Sequence, residues 1–371
     1  MIMSANPFQV SNEAEILSPS LLVYPDRIFR NLERMLQLAG GPERLRPHVK
    51  THKLPEVVGM QISQGVVKFK CATISECEMT AGSGARDVLL AHQPTGPNAA
   101  RLRFLADRFP RVTWGTVIDD AGVVEILSTL FAEAENPLQV YLDLDCGMHR
   151  SGIVPGEGAF ALCKKIEGAA GLELAGLHAY DGHNHEPDPE ERAVQCDADF
   201  APVLAFRKEL QAAGIPVPHL VAGGSPTFPI HARHADRECS PGTTLLWDEG
   251  YGRDCADLPF EPAAALLTRV ISKPGDNRLC FDLGHKSVAA DKPLPRARLL
   301  GLEDAIHSVH SEEHLTLETS AAKDWAIGDC AYAIPEHICP TVALHDEVWV
   351  VSDGAAAARW EVSARRRRLG I

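Results

Sequence analysis

The sequence lacks long apolar runs and an excess of positive charge. Its longest apolar stretches, such as the one around Leu266, fall well short of the roughly 20 residues that a membrane-spanning helix needs. No basic segment followed by an apolar one opens the chain, so we expect a cytoplasmic protein. Its 36 Lys and Arg against 50 Asp and Glu give a net charge of −14. This balance disfavours nucleic-acid and anionic-membrane partners.

Two familiar motifs are also missing. None of the ten cysteines forms a C-x-x-C pair, so we expect reduced thiols packed as small apolar side chains. The G-x-G-x-x-G fingerprint of dinucleotide-binding folds does not follow the first candidate strand. Histidine, by contrast, is abundant at 16 residues, and its clustering indicates a polar site.

Alternating apolar and amphipathic segments indicate parallel strands joined by helices. Polar residues concentrate where the candidate strands end, at 48–50, 143–150, 178–185 and 223–227. Eight strand–helix units fit a closed (β/α)₈ barrel over residues 20–255 better than an open doubly wound sheet. The candidate strands are residues 20–24, 45–50, 67–72, 88–93, 113–118, 139–145, 174–180 and 220–224.

The sequence pattern changes after Pro259. Short alternating runs separated by Gly, Pro, Asp and Asn replace the helical periodicity. We therefore expect a second, antiparallel β domain made of residues 1–19 and 256–371.

The segment R-P-H-V-K-T-H-K at residues 46–53 is the sharpest candidate for chemistry. A lysine at a barrel mouth, such as Lys50, can act as an amine nucleophile and form a Schiff base. The alternative is a basic loop that binds an anion or stays in water.

A second candidate is D-L-D-C-G-M-H-R-S-G at residues 143–152. Arg150 could donate a hydrogen bond to a ring nitrogen or a carboxylate, or it could pair with an aspartate to hold a loop.

A third candidate is the loop containing Gly223, Gly224, Ser225 and Thr227. Its backbone N–H groups and hydroxyls suit a phosphate, although Gly-Gly-Ser is also common turn chemistry.

The fourth candidate is H-I-C-P-T at residues 337–341. On an extended segment, His337 and Cys339 point to the same face. A nitrogen–sulfur pair suits zinc among the common divalent ions, but H-x-C alone is mostly chance.

Together, in this order, the four segments resemble the D-threonine aldolase and D-serine dehydratase family, a fold-type III pyridoxal-phosphate group related to alanine racemase. S-E-E-H at 311–314 and L-H-D at 344–346 also resemble that family. The resemblance implies an alanine racemase-type barrel with a β domain, and a homodimer by analogy. It places the cofactor on Lys50 and the metal on His337 and Cys339, with zinc favoured and manganese or magnesium as alternatives. The other cofactor-binding residues that it implies are His48, Arg150 at the pyridine nitrogen, Tyr180, Gly223, Gly224, Ser225 and Thr227.

The motifs do not agree on which branch of the family this sequence resembles. H-x-C resembles the dehydratases, whereas the aldolases carry H-x-D; residues 344–346 and the tail containing Trp360 look more like aldolases. Leu315 stands where the family has glycine. We expect a lyase that cleaves D-threonine-like substrates to glycine and an aldehyde, with dehydration to a keto acid and ammonia as the alternative. A racemase and a non-enzymatic cofactor carrier are less favoured. The proton-handling group is left open among His183, His185 and His314.

Overall fold

The computed structural model describes residues 6–371, which divide into two compact units. The barrel unit comprises Glu33–Lys50, Pro55–Gly242 and Arg366–Ile371. Within the described residues, the second unit comprises residues 6–32, Thr51–Leu54 and Thr243–Arg365.

Strands and helices alternate through the first two thirds of the chain, and strands dominate afterwards. The strands are β1 (Ser20–Val23), β2 (Lys68–Cys71), β3 (Asp87–Leu90), β4 (Thr113–Ile118), β5 (Leu138–Leu144), β6 (Leu172–Ala179), β7 (His219–Ala222), β8 (Glu238–Cys239), β9 (Ala264–Ser272), β10 (Arg278–Phe281), β11 (Ala297–Leu299), β12 (Ile306–His310), β13 (Leu315–Glu318), β14 (Cys330–Pro335), β15 (Glu347–Ser352) and β16 (Ala355–Glu361). The helices are α1 (Pro25–Ala39), α2 (Pro55–Ser63), α3 (Ile74–Gly82), α4 (Pro97–Arg108), α5 (Ala121–Phe131), α6 (Glu157–Glu167), α7 (Pro189–Ala212), α8 (Phe228–Ala232), α9 (Glu249–Asp254) and α10 (Ile338–Leu344).

The barrel unit is built on a parallel sheet in the order β2-β3-β4-β5-β6-β7-β8. Residues 45–49 link the last strand to the first: the Arg46 N–H donates to the Cys239 carbonyl at 2.9 Å, and the Val49 N–H donates to the Lys70 carbonyl at 2.9 Å. The strands are almost wholly buried, as expected for a parallel sheet covered by helices. This arrangement brings the carboxyl ends of the strands to one face of the unit.

Local sequence explains where several barrel helices begin. The Asp120 carboxylate accepts hydrogen bonds from the first N–H groups of α5, and the Asp188 carboxylate does the same for α7. Such caps are typically worth about 1 kcal/mol each. They fix the points at which the chain turns from strand ends into helices.

The second unit contains a mixed sheet in the order β12-β13-β10-β9-β1-β15-β16, with β14 paired to both β9 and β11. Strand β1 pairs antiparallel with β9 and parallel with β15. The chain before β1 contributes Phe8, Val10 and Ile16 to the core of this unit. The N-terminal segment is thus part of the second core.

The predicted fold class, a β/α barrel with a largely antiparallel β domain, is confirmed, but three local expectations were wrong. Residues 20–24 do form a strand, but β1 belongs to the second sheet. Residues 45–50 make isolated bridges to Cys239 and Lys70 instead of a regular strand. The segment after His337 is helical, because α10 begins at Ile338.

Within residues 6–371, no helix combines the length and apolar character that crossing a membrane requires.

Candidate active site

A cavity of about 500 Å³ opens at the carboxyl ends of the first barrel strands. Its walls include Lys50, His48, Asp143 and Arg150, together with residues directly after β2, β3 and β4. The Lys50 backbone N–H donates to His48 Nδ1 at 3.3 Å, so the His48 imidazole is held against the backbone of the predicted motif. The position agrees with where barrel enzymes carry their chemistry.

Three cationic side chains surround the ring of Tyr180. Arg150 Cζ lies 4.9 Å from the ring centre, Lys70 Nζ 5.7 Å and Lys50 Nζ 5.9 Å. These distances are within the range of cation–π attraction. Three basic side chains within 6 Å of one aromatic ring make this part of the barrel unit suited to an anionic, planar ligand.

Lys70 was missed by the sequence reasoning. It lies in β2, where a lysine between apolar residues gave no sign of its direction. The signal that could have found it is the K-F-K alternation, which places Lys68 and Lys70 on one face of the strand with Lys70 nearer its carboxyl end.

A buried chain of hydrogen bonds joins Lys70 to the cavity wall. Lys70 Nζ lies 3.5 Å from His178 Nε2, and His178 Nδ1 lies 2.6 Å from Asp143 Oδ1. Burial raises the pKa of Asp143, but His178 and the Ser151 hydroxyl outweigh burial and lower it overall. Burial lowers the pKa of His178 despite the Asp143 carboxylate. Asp143 is therefore an ionised acceptor that orients a neutral imidazole.

The loop after β7 is shaped by glycine. Gly223 has φ +76°, and a Cβ there would lie 2.5 Å from His231 Cδ2. A Cβ on Gly224 would lie 3.0 Å from the Tyr180 ring. The Ser225 hydroxyl accepts from the Gly242 N–H, and the Thr227 hydroxyl donates to Asp181 at 2.8 Å. The predicted phosphate loop thus lies against Tyr180.

Beneath that loop lies a buried acid–thiol–imidazole group. The ligand atoms of Asp181, Cys196 and His231 lie within 4.8 Å of one another, a spacing that could hold a metal ion. In the structure, His231 Nε2 lies 2.7 Å from Asp181 and Arg237 donates to His231 Nδ1 at 2.9 Å. Because guanidinium only donates, Nδ1 is the acceptor and Nε2–H donates to Asp181. These hydrogen bonds, with that from Thr227 to Asp181, hold the loop after β7 in place.

In the second unit, His337 and Cys339 lie at the start of α10. His337 Nδ1 lies 2.6 Å from Asp291 Oδ2, and Cys339 Sγ lies 3.2 Å from the Thr51 hydroxyl and 3.5 Å from that of Thr243. A carboxylate on Nδ1 leaves Nε2 as the imidazole's ligand atom, the arrangement typical of metal-binding histidines.

The start of α10 is anchored by Asp248. One of its carboxylate oxygens accepts from the Tyr251 N–H and the other from the Ile338 N–H, both at 3.0 Å. Burial lowers the pKa of His337, but hydrogen bonds and charge from Cys339 and Asp291 outweigh burial and raise it to about 9. Cys339 thus acts on the His337 imidazole, although the segment after His337 is helical and not extended as expected.

The candidate proton-handling histidines are dispersed. His183 belongs to the barrel unit, and its Nε2 lies 2.7 Å from Asp199 Oδ2. His185 is exposed, and its Nδ1 contacts the His183 carbonyl at 2.6 Å. His314 belongs to the second unit and is exposed.

Comparisons with known proteins place this geometry in a family. The alanine racemase N-terminal domain matches residues 23–249, and the putative serine dehydratase domain matches residues 263–351. The chain is 28% identical to the D-threonine aldolase of an Arthrobacter species and 30% identical to the 3-hydroxy-D-aspartate aldolase of Paracoccus denitrificans (strain Pd 1222). Each alignment covers 95% of this chain and 93% of the relative.

The chain belongs to the D-threonine aldolase and D-serine dehydratase family. The crystal structure of D-threonine aldolase from Filomicrobium marinum matches it with a TM-score of 0.88 at 26% identity, covering 98% of this chain and 99% of that chain. Dehydratases are also among its relatives. The resemblance and the fold expected from the sequence are thereby confirmed. Members of the family are pyridoxal-phosphate-dependent lyases.

Proposed function

We propose that this chain is a pyridoxal-phosphate- and divalent-metal-dependent lyase of β-hydroxy-D-amino acids, of the D-threonine aldolase type. It cleaves D-threonine-like substrates to glycine and an aldehyde. The observation that carries the proposal is the pairing of Lys50 with Arg150 in the wall of a cavity at the carboxyl ends of barrel strands. The aldolase relatives, which align along nearly the whole chain, support it.

The barrel residues fit pyridoxal phosphate. The cavity of about 500 Å³ offers an amine, and three cations face Tyr180, which suits a planar cofactor with an anionic phosphate. Lys50 would hold the cofactor covalently, Arg150 would donate to its pyridine nitrogen and the loop at Gly223 would hold its phosphate. When bound, the cofactor supplies an electron sink for the substrate carbon that bears the amino group.

The second unit fits a divalent metal. Imidazole and thiolate are ligands that zinc prefers, and Asp291 orients the imidazole. We assign His337 and Cys339 as its protein ligands. When bound, the metal supplies a Lewis acid for the substrate's β-oxygen. Thr51, whose hydroxyl contacts Cys339, directly follows Lys50 in the sequence.

The two reaction outcomes differ in which proton the protein removes. In retro-aldol cleavage a base takes the β-hydroxyl proton, and a proton is later delivered to the glycine carbon. In dehydration a base such as Lys50 takes the Cα proton instead, and the β-hydroxyl leaves. Cys339 favours the dehydratase alternative, since H-x-C is the pattern of that branch. A metal pair would be superfluous for racemisation, and a cofactor carrier would not need the second unit.

The Lys50 assignment is tested by its replacement. Lys50→Ala should abolish the cofactor's absorbance band near the visible edge and all turnover, because the amine that binds the cofactor is gone. Lys53→Ala, three residues away in the same motif, is the matched control and should keep both. A Lys50→Ala protein that retains the band would show that another residue carries the cofactor.

Homodimerisation and a cytoplasmic location stay predictions from the sequence.

A further inference from the structure

Two lysines flank the Tyr180 ring, and the proposed function uses only one of them. Lys70 lies in β2, one residue before the strand ends, and its side chain is 3% exposed. Lysine is almost never buried in this way, because removing its ammonium group from water is costly. Its place at the carboxyl end of a barrel strand is where residues act on ligands in this fold.

The Lys70 amine faces a hydrogen-bond acceptor on His178. Since the Asp143 carboxylate accepts the His178 Nδ1–H at 2.6 Å, the unprotonated His178 Nε2 faces the Lys70 amine at 3.5 Å. Asp143 in turn accepts from the Ser151 hydroxyl at 3.0 Å. Asp143 and Ser151 both line the cavity that contains Lys50. The hydrogen bonds therefore run from Lys70 through His178 to the cavity wall.

The charges around Lys70 are mixed. The cations that act on it are Lys50 and Arg46, and the carboxylates are Asp143 and Asp181, besides the imidazole of His178. Burial and then Lys50 lower the pKa of Lys70 to about 7, although the two carboxylates raise it. An amine in this state gains and loses a proton near neutral pH, where an ordinary lysine stays charged.

We propose that Lys70 is a proton-holding residue of the cofactor site, which takes up and releases one proton beside Tyr180, and that His178, oriented by Asp143, positions its amine. The proposal rests on the proposed function. In retro-aldol cleavage one proton leaves the β-hydroxyl oxygen and one arrives at the glycine carbon, so a group that stores one proton between the two steps balances the reaction. His183 is engaged with Asp199, and His185 and His314 are exposed, whereas Lys70 is buried and its amine lies 5.7 Å from the centre of the Tyr180 ring.

The test compares Lys70→Met and Lys70→Arg with a matched control, Lys68→Met. Lys68 lies on the same strand two residues earlier, where its amine pairs with Glu238 at 2.7 Å. In the enzyme loaded with pyridoxal phosphate and zinc, the cofactor absorbance, kcat and KM for D-threonine would be measured from pH 5.5 to 9.5. We expect wild type and Lys68→Met to share an inflection near pH 7 in kcat/KM.

The pH profile of Lys70→Met should lack the inflection near pH 7. Its kcat should fall about 100-fold with KM little changed, because the group that exchanges the proton is missing. Lys70→Arg keeps the charge but cannot release the proton, so it should lose the inflection while still binding the cofactor. A purely structural role would change stability or KM and leave the shape of the pH profile intact. Superimposable profiles for wild type and both Lys70 variants would overturn the proposal.

A second readout does not depend on turnover. In protein labelled with ¹³C at lysine Cε, the resonance missing from Lys70→Arg belongs to Lys70. In the protein without cofactor, its titration midpoint should lie near pH 7. A midpoint near 10 would overturn the proposal. If wild type neither binds pyridoxal phosphate nor cleaves D-threonine, the proposed function fails, and this midpoint still decides whether Lys70 holds an exchangeable proton.

Discussion

The proposed cofactor cluster of the barrel unit and the proposed metal pair of the second unit are organised in different ways. Lys50, Lys70, Asp143, Arg150 and Tyr180 are up to 130 residues apart and meet because parallel strands end at one face. His337 and Cys339 are two residues apart, and local contacts to Asp248 and Asp291 hold them. The first site depends on the integrity of a whole barrel, whereas the second depends on the start of one helix.

The proposed cofactor cluster is also more deeply buried than the proposed metal pair. The Lys70 side chain and the Asp143–His178 pair are almost fully buried, so each polar group there needs a partner. The His337 side chain is 34% exposed and Asp291 is 44% exposed, which leaves a route for an ion. We expect changes in the barrel cluster to affect folding, cofactor and chemistry together. Changes in the metal pair should affect chemistry alone.

Replacing the proposed metal ligands tests whether changes there affect chemistry alone. His337→Ala and Cys339→Ala should each lower kcat/KM by about 1,000-fold or more, since loss of a ligand removes the Lewis acid. The cofactor absorbance and the thermal unfolding midpoint should stay close to wild type. Cys330→Ala, at a half-buried thiol in the same unit, is the control and should be fully active. If chelation left turnover of the wild type untouched, the metal assignment would be wrong.

Replacing Gly223 by alanine should lower both the stability of the protein and its affinity for the cofactor. Gly223 and Gly214 have similar φ angles, +76° and +79°, but a Cβ has nothing within 4 Å at Gly214 and meets His231 at 2.5 Å at Gly223. Gly214→Ala should cost about 1 kcal/mol of unfolding free energy from backbone strain. Gly223→Ala should cost roughly 3 kcal/mol or more and weaken cofactor binding, because the loop must move. Urea unfolding and cofactor titration check both, and equal costs for the two variants would contradict the account of the loop.

Lys70 also gives a stability effect with a defined pH dependence. Its pKa is about 7 in the folded protein against 10.5 for an ordinary lysine, so the unfolded chain binds more protons between these values. Its contribution to the unfolding free energy therefore rises with pH from about 7 to about 10. Lys70→Met removes the burial penalty, so it should stabilise the protein by a few kcal/mol below pH 7, and the gain should vanish towards pH 10. Urea unfolding at pH 6, 8 and 10 measures this, and a gain independent of pH would argue against a lowered pKa.

Residues in short motifs could be predicted from the sequence, whereas contacts between distant strands could not. Lys50 and the metal pair lie in short motifs, and the loop at Gly223 follows a clear apolar strand, so local pattern was enough to single them out. Residues 20–24 look like any apolar strand, and nothing local tells which sheet they join. Strand β8, with two residues, is too short for periodicity to detect.

The contact between Lys70 and His178 is visible only in the fold. Each lies within a strand, and their contact joins residues 108 apart in the sequence. The sequence predicts that Asp143 and His178 are polar residues at strand ends, but their pairing depends on the register in which β5 lies beside β6. Register between distant parallel strands is a tertiary property, so the buried chain from Lys70 to Asp143 could not be derived from local pattern.

The most direct test of the account is product analysis. Purified protein supplied with pyridoxal phosphate and either zinc or manganese would be incubated with D-threonine and, separately, with D-serine. We predict glycine and acetaldehyde from D-threonine. A keto acid and ammonia, with no glycine, would contradict the aldolase assignment and make the chain a dehydratase, as Cys339 alone would indicate.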